Sequence, residues 1–89
     1  MPMIKLVALE PAGAAGLALR FSDGSHGHWS AAALIDRDTE LTRSLADAAY
    51  FRRAFIEGGA LAWPNGLELS APSLHRRMAE AGALDREAA

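Results

Sequence analysis

Three glycine-containing turns punctuate the chain and divide it into short segments. They fall at Asp23-Gly24, at Gly58-Gly59 and at Pro64-Asn65-Gly66. Asp-Gly and Gly-Gly tolerate the positive φ angles of two-residue hairpin turns, and proline followed by Asn-Gly is typical of a tight turn. The spacing of these turns therefore predicts antiparallel hairpins.

The first third of the chain is predicted to be a three-stranded antiparallel meander. Its strands cover residues 3–10, 16–22 and 25–29, with the Asp23-Gly24 turn between the last two. The middle strand alternates most clearly, because every second residue is large and apolar, as one half-buried face requires. These residues are Leu17, Leu19 and Phe21. Ser30 is then expected to cap a short helix over residues 31–36.

The segment from residue 40 to residue 57 admits two interpretations. Alanine and leucine favour a single helix over residues 39–56. Alternatively, the helix breaks near Asp47, and residues 53–57 form a strand that turns back at Gly58-Gly59. We prefer the second interpretation, because short apolar runs on both sides of two glycines are typical of a hairpin.

The last third is predicted to contain a short strand over residues 67–69 and a carboxyl-terminal helix. Ser70 can cap this helix, with Pro72 in its first turn, and Gly82 is expected to end it. Residues 83–89 are expected to be a frayed tail. The whole chain, residues 1–89, is predicted to be one α+β domain. Its small antiparallel sheet is built from the meander and the second hairpin, with short helices and the carboxyl-terminal helix around it.

Composition excludes several classes of function. The chain has no cysteine, which excludes disulfides, thiolate nucleophiles and cysteine zinc sites. The longest apolar run covers only residues 31–35, and the amino terminus does not resemble a signal peptide, so we expect a cytoplasmic protein without membrane contact. A net charge of −2 argues against a surface dominated by phosphate contacts.

The apolar residues are mostly small. Although 51% of the chain is apolar, 20 of these residues are alanine. The large apolar side chains lie mainly in the predicted strands, so few remain to line a pocket. This distribution favours a module that acts through its surface over an enzyme.

An ordered set of motifs resembles a bacterial family of small proteins known only as domain of unknown function 2442. The resemblance runs from about residue 4 to residue 78 and is carried by Phe21-Ser22-Asp23-Gly24, Leu45, Phe51, Trp63-Pro64-Asn65-Gly66 and Leu69. It implies a small α+β fold without an assigned enzymatic activity, in some members fused to a helix-turn-helix or encoded in a toxin–antitoxin-like arrangement. Here too few residues follow Gly66 for a helix-turn-helix.

The sequence predicts no catalytic, cofactor-binding or metal-binding residues. His26 and His28 share one face of a predicted strand and, with Asp23, could form part of a zinc site. Only His75 is left as a further imidazole, so two exposed histidines are the preferred interpretation. Asp23, Gly24, Pro64, Asn65 and Gly66 are explained by their turns.

The candidate interaction surface contains two tryptophans and two arginine pairs. They are Trp29, Arg52, Arg53, Trp63, Arg76 and Arg77. Tryptophan is enriched at interfaces, although a core position is preferred for Trp63. The arginines could bind phosphate or an acidic partner, or Arg76 could pair with Glu80 on a solvated helix face.

We therefore predict a non-enzymatic binding or regulatory module that acts through protein contacts. Its partner is a second copy of the chain or another small protein encoded nearby, and exposed strand edges are the expected contact. The alternative is an antitoxin-like regulator that touches nucleic acid through its arginine pairs. A metal-dependent enzyme built on His26 and His28 ranks third.

Overall fold

The amino-terminal residues form the three-stranded meander that the turns predict. In the computed structural model, which describes residues 3–13 and 15–86, β1 covers Leu6–Pro11, β2 Gly16–Phe21 and β3 Ser25–Ser30. Neighbouring strands pair antiparallel. The large apolar side chains of β2 (Leu17, Leu19 and Phe21) are buried, and the Gly24 N–H donates to the Phe21 carbonyl across the predicted turn.

A fourth strand extends this sheet, and it lies in the segment that was expected to fray. Leu84–Arg86 form β7 and pair antiparallel with β3, so the strand order is β1-β2-β3-β7. Gly82, at φ 70°, ends the preceding helix in a Schellman motif, in which the Ala83 N–H donates to the Met78 carbonyl. The turn directs the chain along the open edge of β3, so residues 84–86 form a strand where the sequence predicts a frayed tail. Residues 87–89 lie outside the described residues.

The middle segment breaks at Asp47, as the preferred interpretation predicts. After α1, Ala32–Arg37, the chain forms α2, Glu40–Arg43, a 3₁₀ helix over Ser44–Ala46 and α3, Ala48–Phe51. Asp47 has extended backbone angles, and its side chain accepts a hydrogen bond from the Ala49 N–H. Asp47 therefore caps α3 and ends the preceding turn.

The second hairpin forms a sheet of its own instead of extending the first one. Strands β4, Phe55–Glu57, β5, Ala60–Ala62, and β6, Glu68–Leu69, pair antiparallel in the order β4-β5-β6. A hydrogen bond from the Leu6 N–H to the Gly59 carbonyl, 2.8 Å long, links the two sheets. The α+β class is confirmed, with two small sheets in place of one.

One apolar core collects side chains from both sheets and the helices. Trp63 lies at its centre with 1% of its surface exposed, and its indole Nε1–H donates to the Phe51 carbonyl at 3.0 Å. The Trp63 ring also contacts the rings of Trp29 and Phe51. The helix α4, Ala71–Glu80, is capped by Ser70 as predicted and buries Leu74 and Met78 against this core. None of the helices in the described ranges is long and apolar enough to cross a membrane.

Candidate functional site

A cavity opens between β3, α1 and α4, and we call it the cleft. It has a volume of about 370 Å³. Its large apolar lining side chains come from four elements. They are Trp29 of β3, Leu34 of α1, Leu69 of β6, and Leu74 and Met78 of α4. The cleft thus lies against the core and has a mainly apolar lining. Ligand pockets typically have such a lining.

Small side chains create this space. Ala33, Ala81 and Ala83 line the cleft where a larger residue would fill it. The expectation that the apolar residues leave too little to line a pocket is therefore wrong. Core residues form most of the apolar lining, and Ala33, Ala81 and Ala83 are the small residues beside them.

One charged side chain borders this apolar space. Arg77 is the only arginine, lysine, aspartate or glutamate among the described residues that line the cleft. Its guanidinium forms no hydrogen bond or ion pair with the part of the chain that the structure describes. Ser73 lies one helical turn earlier, also at the cleft, and His28 at its border has Nε2 2.9 Å from the Ala12 carbonyl oxygen. The cleft therefore combines an apolar lining with one unpaired guanidinium.

The structure brings together only part of the predicted interaction surface. Trp29 and Arg77 meet at the cleft, although Trp29 itself is mostly buried. Trp63 belongs to the core, which is the preferred interpretation of that residue and removes it from the surface. Its neighbours in space, described above, account for its position.

The other three arginines lie outside the cleft. Arg52 and Arg53 follow α3, and the Arg53 guanidinium lies 5.8 Å from the centre of the Tyr50 ring. Arg76 is exposed on α4, and no ion pair joins it to Glu80, both of which are described.

Asn65, in the Pro64-Asn65-Gly66 turn, links separate segments of the chain. The Asn65 side chain accepts a hydrogen bond from the Leu67 N–H and donates one to the Leu41 carbonyl. The Asn65 N–H donates to the Tyr50 hydroxyl. These contacts give Asn65 a structural role, because they join its turn to residues 41 and 50.

Asp23, Ser25 and His75 form a polar cluster that sequence spacing did not indicate. Asp23 Oδ1 accepts hydrogen bonds from the Ser25 N–H and hydroxyl, and Asp23 Oδ2 lies 3.0 Å from His75 Nε2. The order of contacts differs from a hydrolytic triad, in which the serine bonds to the histidine. Ser25 is also completely buried and unavailable to a substrate. The cluster fastens the β2–β3 turn to α4.

The Asp23 carboxyl has a lowered pKa, and this predicts a pH-dependent contribution to stability. Hydrogen bonding by the Ser25 hydroxyl is the main cause, and the pKa falls from 3.8 to about 2. A carboxyl whose pKa is lower in the folded state stabilises it above the unfolded pKa and loses that effect as the pH falls towards 2. We expect Asp23→Asn to lower the free energy of unfolding by about 1 kcal/mol at pH 7, because solvent screens this partly exposed group, and by much less at pH 2. Urea denaturation at both pH values measures this difference, and an equal loss at both would contradict it.

His26 and His28 project from the same face of β3, as the sequence predicts. On the neighbouring strand their register partners are Arg20 and Ala18. Within the described ranges, no group of three or more histidine, aspartate or glutamate side chains is placed to hold a metal ion. The two imidazoles therefore lack further protein ligands in that part of the chain.

Comparison of this chain with protein-family models, with curated proteins and with solved structures found no match. The resemblance to domain of unknown function 2442 stays a prediction from its motifs.

Proposed function

We propose that this chain is a non-enzymatic protein-binding module, and that the cleft is where an apolar segment of a small partner protein docks. The cleft itself carries the proposal, because its volume of about 370 Å³ is lined mainly by apolar side chains. Filling such a space with apolar groups removes both surfaces from water, at roughly 25 cal/mol per Å² of apolar area. Pockets of about 300–1,000 Å³ with this lining commonly bind ligands.

The strand edges support a weaker contact than the cleft does. In the outer strand β1, pairing is irregular between Leu6 and Ala8, and the strand ends at Pro11, which has no N–H to donate. Bulges and edge prolines are features that oppose pairing with another strand. The edge strands β4 and β7 have only three residues each, so an added strand would form few hydrogen bonds. We therefore place the proposed contact at the cleft and not at the strand edges.

The polar cluster gives no reason to replace binding by catalysis. Its serine is buried and bonded to the carboxylate, and its histidine also lies beside that carboxylate. General acid–base catalysis needs such groups to face a substrate. We therefore propose binding at the cleft and no reaction.

Filling the cleft should prevent docking. Ala81→Trp places an indole at one wall of the cleft, where Ala81 directly follows α4 and is exposed. We expect the substitution to weaken peptide binding at least about tenfold, or about 1.4 kcal/mol, because the indole occupies space that the ligand needs. Selection of a phage-displayed library of short random peptides on the wild-type protein supplies ligands. Isothermal titration calorimetry then gives the Kd of a resynthesised peptide for each variant.

The matched control is Ala79→Trp, which adds the same indole to an exposed position of α4 that does not line the cleft. It should bind like wild type, and Ala33→Trp on the opposite wall should weaken binding as Ala81→Trp does. Circular dichroism establishes that each variant is folded. Selection that retains no peptide, or peptides that bind Ala81→Trp and Ala33→Trp as well as wild type, would contradict the proposal. If the mass in solution doubles as the concentration rises, and Ala81→Trp prevents this doubling, the partner is a second copy of the chain and not another small protein.

A further inference from the structure

A row of three side chains, polar and apolar, runs along the side of α4 that faces the cleft. Ser73 and Arg77 on α4, and Ala81 directly after the helix, are spaced four residues apart, so they lie along one side of it. This row is about 12 Å long, since an α-helix rises about 1.5 Å per residue. Arg77 lies halfway along it. Arg77 is exposed, so a ligand that fills the cleft lies beside a side chain that can turn its guanidinium towards it.

The charges around the cleft favour an anionic group at that point. No aspartate or glutamate is among the described residues that line the cleft, and the Arg77 guanidinium has no hydrogen-bonding or ion-pairing partner among the described residues. A docked apolar segment would displace water from the guanidinium, and an unpaired charge loses solvation without compensation. A carboxylate from the ligand restores that compensation through charge-assisted hydrogen bonds, in the bidentate geometry that arginine favours.

Ser73 can add a second contact to the same carboxylate. Residues four apart on a helix are neighbours, with about 5–6 Å between their Cβ atoms. The Ser73 hydroxyl makes no hydrogen bond with another described side chain or backbone group, and the residue is half-buried at the cleft. Its O–H is therefore free to donate to an anion that Arg77 holds.

We propose that the docked segment carries an aspartate or glutamate side chain with apolar residues on both sides of it, and that Arg77, assisted by Ser73, binds that carboxylate. This inference rests on the proposed docking function and adds the chemistry that the partner must present. An internal acidic residue fits better than a chain end, because apolar lining continues past Arg77 in both directions. Leu74 lies towards one end of the row and Met78 with Ala81 towards the other.

A charge reversal at Arg77 should reverse the preference of the cleft. We expect peptides selected on the wild-type protein to share an acidic residue among apolar ones. The peptides selected on Arg77→Glu should carry lysine or arginine at that place instead. For one resynthesised peptide, changing its acidic residue to the matching amide should weaken binding to wild type about tenfold. The same change should not weaken binding to Arg77→Glu, and Ser73→Ala should reduce the difference about threefold.

Arg76→Glu is the matched control, because it makes the same change in net charge at an exposed neighbour that does not line the cleft. Its selected peptides should match those of wild type. Apolar peptides without an acidic preference, or the same shift in Arg76→Glu as in Arg77→Glu, would overturn the inference and leave docking intact. A requirement for a free peptide carboxyl terminus would overturn the internal position. Failure to retain any peptide would instead contradict the docking function itself.

Discussion

Replacing Trp63 with alanine is expected to lower the free energy of unfolding by about 3–5 kcal/mol, a large share of the stability of a domain of this size. The indole is 1% exposed and contacts two other aromatic rings, so its removal leaves a cavity where both sheets meet. It also leaves the Phe51 carbonyl without the indole N–H that donates to it. Urea denaturation followed by circular dichroism measures the loss without relying on the fluorescence of the removed residue.

Two further substitutions divide this effect into its parts. Trp63→Phe keeps an aromatic ring and removes the N–H, so it should cost clearly less than Trp63→Ala. Val7→Ala changes an apolar side chain that is 52% exposed and should cost about 0.5 kcal/mol. If Trp63→Ala lowered stability no more than Val7→Ala, the central position of Trp63 in the core would be wrong.

Gly27→Ala is expected to displace β7 and to cost about 2–3 kcal/mol. A Cβ atom at Gly27 would lie 1.9 Å from the Ala83 carbonyl oxygen and 3.0 Å from Met78 Cε. Because a backbone carbonyl cannot rotate away as a flexible side chain can, the chain leading into β7 must move. Amide hydrogen exchange reports the effect as faster exchange of residues 84–86, and urea denaturation gives its size.

Gly58→Ala separates this crowding from the general cost of removing a glycine. Gly58 has a φ of 59°, and no heavy atom would lie within 4 Å of an added Cβ. Its substitution should cost about 1 kcal/mol, from backbone strain alone, and leave the exchange of residues 84–86 unchanged. Equal costs for the two substitutions would contradict the close approach of Ala83 to β3.

Turn chemistry made most of the fold predictable. Asp23-Gly24 and Gly58-Gly59 predict their hairpins because few other residue pairs adopt the required φ angles, and φ is positive at all three of these glycines. The break near Asp47 is predicted because the Gly58-Gly59 hairpin needs a strand before it, so one helix cannot run to residue 56. These signals are local, so they can be seen before any tertiary contact is known.

The strand β7 and the cleft depend on contacts between distant residues. Leu84–Arg86 is too short, and lacks the β-branched residues, for its sequence to predict a strand. It forms one because it pairs with the edge of β3, where Gly27 leaves space for the incoming chain. The cleft is formed by small residues on separate elements, and alanine in a sequence does not show whether its neighbours fill the space beside it. The positions of Trp29 and Arg77 at one site therefore required the folded chain.

The pairing of β7 with β3 also affects the order in which the chain can fold as it is synthesised. The contacts between β1, β2 and β3 span few residues and can form early, whereas β3 gains its second neighbour only from residues 84–86. Until the ribosome releases those residues, the nascent sheet presents an unpaired edge that another nascent chain can join. Chains truncated before residue 84 are therefore expected to aggregate more readily than chains that include β7.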